Sequence, residues 1–163
     1  MTPTVDLDSL SIAVRLGAAM VAGAVIGIDR ELKNKPAGLR THSMVSIGAA
    51  IVMLATVASS QGSADAVSRA IQGIITGIGF LGAGVIMQYE HERRVEGLTT
   101  AASIWVAAGL GVACGAGLVE LVGIAMAAAI LVLVGGNWIE GALGRRGERK
   151  LLDTPPDGER RGR

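Results

Sequence analysis

The chain has 163 residues, of which 50% are hydrophobic, only 18% are charged and 24 are glycine, with a mean hydropathy of +0.50. The charges are bunched between long apolar runs, which excludes an ordinary soluble domain, where charge is spread and polar positions alternate with apolar ones. The formal net charge of +1 averages over two compartments and gives no reason to expect a nucleic-acid partner.

A bilayer core needs about 20 mostly apolar residues in a helix. Five stretches meet or approach that length: Leu10–Ile28, Thr41–Val57, Ala70–Met87, Thr99–Cys114 and Leu118–Ile139. Backbone polar groups in lipid must be satisfied within the segment, so the fold class is all-α membrane, a polytopic bundle of about five transmembrane helices. The fourth and fifth spans are joined by only CGAG; read as one broken helix, they would move the C-terminus across the membrane. The expected division is a transmembrane domain over residues 1–142 and a polar cytoplasmic tail over 143–163.

Asp6 and Asp8 stand before the first span where a cleavable signal would carry basic residues, so that span is expected to be retained. The loop after it, IDRELKNKPAGLRTHS, holds six charged side chains in sixteen positions. Its Arg30, Lys33, Lys35 and Arg40, with Arg93 and Arg94 after the third span and the basic tail, sit on one side; Arg69 is on the other. The positive-inside rule then places the N-terminus outside and the C-terminus in the cytoplasm. The basic start of the tail reads mainly as a topology determinant.

The third span contains GIGFLG, which satisfies G-x-G-x-x-G at Gly77, Gly79 and Gly82. A dinucleotide site needs a preceding strand and water-accessible amides, neither of which exists in mid-membrane. These glycines, like the G-x-x-x-G pairs Gly23–Gly27 and Gly73–Gly77, point to close helix packing instead. Gln72, Thr76 and Ser103 are expected to face inward, and Trp105 to pack on glycine-rich surfaces.

An offset of fifty-nine positions aligns Gly23-Ala24 with Gly82-Ala83, Glu31 with Glu90, Gly38-Leu39 with Gly97-Leu98, and Thr41 with Thr100. This pattern suggests a parallel repeat of helix pairs 1-2 and 3-4, with its axis along the membrane normal. Thr41 and Thr100 then become N-cap candidates, and Glu31 and Glu90 supply carboxylates near two positive helix ends.

The strings GAVIGIDREL, KPAGLRTHSMVSIGA, GIGFLGAGVIM and EGLTTAASIWVAAGLGVACGAG resemble the MgtC/SapB family of bacterial inner-membrane proteins, over roughly Leu10 to Leu133. The resemblance implies a multi-pass protein of the bacterial inner membrane with about five helices, linked to growth under magnesium limitation. It implies an accessory or regulatory role, exerted by packing with itself or with other membrane proteins such as the ATP synthase or a magnesium transporter. The alternative is a cation (Mg²⁺) transporter or channel. Many members continue into a cytoplasmic ACT-like domain, for which this tail is too short. Virulence-associated members carry Asn and Cys where Thr99 and Val106 stand here, and Asp29 stands where the family often has Glu, so a virulence role does not carry over.

No nucleophile–base pair or metalloprotease motif is present, and His42 and His91 lack ligand-like spacing, so the chain reads as non-enzymatic. His42, on the opening turn of a helix, reads as an interfacial or hydrogen-bonding residue rather than a metal ligand, and the lone Cys114 as small apolar filler. The candidate polar or ligand site is Asp29, Arg30, Glu31, Arg40, Thr41, Glu90 and Thr100, with Asp29 and Glu31 as candidate metal ligands. No cofactor is implied, Mg²⁺ being the one candidate; lipids and further copies of the chain are the expected partners.

Overall fold

A carboxylate opens the first helix, α1 (Ser9–Leu32): Asp8 Oδ1 accepts from the amide of Ser11 at 2.8 Å, satisfying one of the unpaired donors of the first turn. Four more helices follow, α2 (Leu39–Ser60), α3 (Ala64–Met87), α4 (Leu98–Ala116) and α5 (Val119–Leu152). This computed structural model describes residues 8–87 and 97–152, and side-chain surroundings for 8–86 and 97–136. Glu90, His91, the remaining α3–α4 loop residues and 153–163 lie outside the described residues, as do the side chains of Trp138 and Glu140.

All five helices are long and apolar enough to cross a membrane. They match the five expected spans, and the chain is all-helical among the described residues. The CGAG junction is a genuine break. Gly117 takes a left-handed φ of 77°, its amide donates to Cys114 O, and the amide of Leu118 donates to Ala113 O, both at 3.0 Å. That is the Schellman arrangement, which satisfies the last carbonyls of α4 and redirects the chain. Asn34, at φ 51°, ends α1 in the same way, with Asn34 N bonding Glu31 O and Lys35 N bonding Arg30 O at 3.0 Å.

Two compact units emerge, Met1–Ala129 and Ile130–Arg163, the second taking in the later part of α5. In the first unit α1, α2 and α4 pack together, and α3 lies against α4 and α2. Close approach is set by glycines. A Cβ on Gly23 would strike the backbone of His42 and Ser43, and one on Gly27 would lie 2.6 Å from Leu39 Cα. A Cβ on Gly111 would strike the carbonyl oxygen of Ser46, and one on Gly115 would meet Ala50 O at 2.8 Å. Small residues therefore bring backbones into contact on both sides of α2, the packing mode that substitutes for hydrophobic driving force in lipid. The core side chains between them are Ala22, Ile26, Ala50, Met53, Ile104 and Ala107.

The offset of fifty-nine recurs in space. Gly23 faces His42 in the first helix pair, and Gly82 faces Ala101 in the second, with its Cβ position 3.6 Å from Ala101 Cβ. Gly38 and Gly97 both occupy N-caps, of α2 and α4. The second pair is the looser one, side chain touching side chain where the first has backbone on backbone.

Three expectations are corrected. Thr41 and Thr100 do not cap their helices, because each helix starts two residues earlier, with Gly38 and Gly97 at the caps. Gln72 and Thr76 are exposed on α3, and only Ser103 of the three polar residues is buried. Trp105 is 52% exposed rather than packed on glycines, because α4 turns its small residues towards α2. A methyl group added at Gly73 or Gly77 would meet nothing within 4 Å among the described residues, although Gly77 lines an open groove between α3 and α2.

Candidate functional site: the polar corner of α1, α2 and α4

The charged loop between α1 and α2 resolves into a buried part and an exposed part. The last turn of α1 carries Arg30 into the core, where it is 4% exposed. Its Nη2 lies 3.2 Å from Asp29 Oδ2, and Lys33 Nζ reaches Asp29 Oδ1 at 2.5 Å from one turn away. Asp29 thus holds two cations, one buried and one half-buried. Among the described residues Arg30 Nε is buried with no hydrogen-bond partner, as are Ser43 Oγ and Ser46 Oγ on α2 and Asp29 Oδ2, which meets Arg30 as an ion pair without a well-aligned hydrogen bond.

Glu31 leaves α1 in another direction. Its Oε2 accepts from the amide of Leu39 at 3.1 Å, so a carboxylate from the preceding helix serves the start of α2 where Gly38 has no side chain to do so. A Cβ at Gly38 would collide with that same carboxylate. The arrangement places negative charge at the positive end of a helix dipole and ties two residues eight positions apart across the loop. Arg40 and Thr41 are exposed on the first turn of α2.

Deeper in, His42 is fully buried. Its Nδ1 lies 2.9 Å from Gly38 O, which can only accept, so Nδ1 carries a proton. Its Nε2 lies 2.9 Å from Ser103 Oγ on α4, and that oxygen is also 2.8 Å from Thr100 O. A neutral imidazole accepts from Ser103 at Nε2; with the ring charged, Nε2 donates and the hydroxyl turns to Thr100 O. The chain of hydrogen bonds ties α2 to α4 across 61 positions of sequence. Replacing His42 with alanine leaves Gly38 O and the Ser103 hydroxyl short of a partner, and is expected to cost about 1–3 kcal/mol. A fall in the thermal midpoint of the detergent-solubilised protein, restored in part by the paired change Ser103→Ala, checks it.

Arg30, His42, Ser103 and Thr100 meet at this corner with Asp29 at its edge. Arg40 and Thr41 stay outside it, and Glu90 lies outside the described residues. The hydrogen-bonding role of His42 was legible in its position, but its link to Ser103 was not, since no local spacing relates them. The residues do not fit a resident Mg²⁺. This ion takes six oxygens, mostly water, and needs uncommitted carboxylates. Asp29 is held by two cations and Glu31 by a helix amide. Among the described residues no group of three His, Cys, Asp or Glu side chains converges.

Comparison with known proteins places the fold. The model of the MgtC family matches residues 16–142. The chain belongs to the MgtC family. It is 38% identical to Protein SrpB of Synechococcus elongatus, over 93% of this chain and 92% of that one. It is 40% identical to Protein MgtC of Salmonella choleraesuis over 91% of this chain, and 41% identical to Protein MgtC of Brucella abortus over 66%. The chain spans 59% of the Salmonella protein's length and 44% of the Brucella protein's. No solved structure matches. The matched segment begins within α1 and runs through α4 into the larger part of α5, and this MgtC-family chain is a multi-pass membrane protein.

Proposed function

We propose that this MgtC-family protein is a non-enzymatic accessory protein of the bacterial inner membrane, oriented with its C-terminus in the cytoplasm. It supports growth at limiting magnesium by packing against a second copy of itself or against other membrane proteins, the ATP synthase or a magnesium transporter among them. The observation that carries the reading is the outer face of α3. At 100° per residue, Gln72, Thr76, Phe80 and Ala83 line up beside Gly73, Gly77 and Gly84, and all seven are exposed. Phe80, the only phenylalanine in the chain, is 82% exposed. No residue in the apolar window of α3 is buried. The Gln72 amide donates to Ser68 Oγ of its own helix at 3.2 Å and has a second N–H to offer. Glycines and this amide therefore make a poor surface for lipid and a good one for another helix, whose backbone can approach closely.

A transport path should carry carboxylates or broken backbone at membrane depth. The two best-placed carboxylates are instead committed to Arg30, Lys33 and the start of α2.

The test combines trapping with growth. Phe80→Cys in a Cys114→Ala background, oxidised in intact membranes, is expected to give a linked dimer. Adding Gly77→Ile is expected to abolish both the dimer and rescue of growth in low-magnesium medium, with membrane levels unchanged. Full rescue by the Gly77→Ile chain overturns the reading, and protein-dependent Mg²⁺ uptake into sealed liposomes replaces it with transport.

A further inference from the structure

At the opposite end of the bundle from the polar corner, a half-open groove of about 400 Å³ runs between the start of α1 and the junction of α4 with α5. Leu10, Val14, Ala18, Leu118, Val119 and Val122 give it an apolar lining. Two charged side chains also line it, Arg15 and Asp8. Both are placed by the fold. Arg15 Nη1 donates to Gly115 O at 2.9 Å, which holds the guanidinium at the C-terminal end of α4. Asp8 is fixed as the N-cap of α1 through Oδ1. Each charge is therefore anchored through one of its several hydrogen-bonding atoms, and the apolar wall continues inward from them.

We propose that this groove binds one phospholipid with a zwitterionic amine headgroup, its phosphate on Arg15, its ammonium on Asp8 and an acyl chain along the apolar lining. The volume falls within the range of small-molecule pockets, roughly 300–1,000 Å³. Guanidinium matches phosphate oxygens through a fork of donors, and one such donor being spent on Gly115 leaves others for a ligand. The carboxylate at the same opening sets the headgroup. A glycerol headgroup brings the same phosphate to Arg15 but only neutral hydroxyls to Asp8, whereas an ethanolamine headgroup presents opposite charge to both side chains. Arg15 also lies inside a membrane span, at a depth where an unpaired cation is costly, and a lipid phosphate offsets that cost.

Native mass spectrometry of the delipidated full chain, titrated with phosphatidylethanolamine, phosphatidylglycerol or inorganic phosphate, tests this. The expected result is one retained phosphatidylethanolamine, weaker phosphatidylglycerol, and no displacement by inorganic phosphate. Arg15→Gln is expected to weaken retention roughly tenfold, the equivalent of one charge-assisted hydrogen bond. Because Arg15 also holds the end of α4, Ala18→Phe serves as the second variant: it fills the groove, leaves both charges in place, and is expected to abolish retention. Asp8→Asn keeps the N-cap, since Asn caps as well as Asp, and is expected to erase the preference for the amine headgroup. Preference for phosphatidylglycerol, competition by inorganic phosphate, or unchanged retention in Ala18→Phe each overturns the proposal.

Discussion

Replacing Gly111 with valine is expected to separate α2 from α4 and to cost about 3 kcal/mol, the upper end of ordinary overpacking. A Cβ there already strikes the Ser46 carbonyl oxygen, and backbone, unlike the tip of a flexible side chain, has no rotamer into which to retreat. Gly23→Val is expected to behave alike, since its obstruction is the backbone of His42 and Ser43. Gly73→Val is the control. It meets nothing within 4 Å, so the folded chain should hold its stability to within about 0.5 kcal/mol. Thermal midpoints of the three variants in one detergent, read by size-exclusion chromatography, separate these outcomes. Equal losses at Gly111 and Gly73 would show that glycine matters here for helix geometry and not for contact.

Asp29→Asn is expected to produce the second large effect. It strips the carboxylate from Arg30, a cation only 4% exposed, and leaves Lys33 without its i−4 ion pair. Removing one partner of a buried pair costs about 3–5 kcal/mol, mostly for the charge left behind. The double change Asp29→Asn with Arg30→Gln removes that charge and should recover much of the loss, giving a strong coupling in a double-mutant cycle. Glu31→Gln should cost far less, because its amide oxygen still accepts from Leu39 N. Unfolding in mixed micelles measures all five chains: the wild type, Asp29→Asn, Arg30→Gln, their double and Glu31→Gln. Additive single and double changes would mean that the Asp29–Arg30 contact contributes nothing. Growth phenotypes at Asp29 must accordingly be read beside membrane levels.

The five helices were legible because hydropathy registers burial in lipid directly. The polar corner was legible only in part. Asp29, Arg30 and Glu31 stand together in sequence, yet on a helix they point about 100° apart. One enters the core, one bridges to Lys33 and one reaches back to α2, and only three-dimensional packing decides which. Thr41 and Thr100 misled because hydroxyls are good N-caps in general, while Glu31 makes a side chain at Gly38 unnecessary, and a Cβ there would displace the Glu31 carboxylate. The G-x-x-x-G spacing marks a smooth ridge and says nothing of what lies against it. Gly23–Gly27 proved to have α2 as its neighbour, Gly73–Gly77 has no close contact among the described residues, and the same spacing at Gly111–Gly115 does much of the joining of α2 to α4.

The bond between His42 and Ser103 sets a schedule on biosynthesis. The first helix pair can enter the bilayer as soon as it leaves the ribosome, yet the imidazole it carries has no second partner until the residue 61 positions later has been made. At about 5–20 residues per second that delay is on the order of 3–12 s. For that interval the nascent hairpin holds a polar ring facing the place that α4 will take. A membrane insertase or a protease meets it as an unfinished product, and only the arrival of the fourth helix closes the corner.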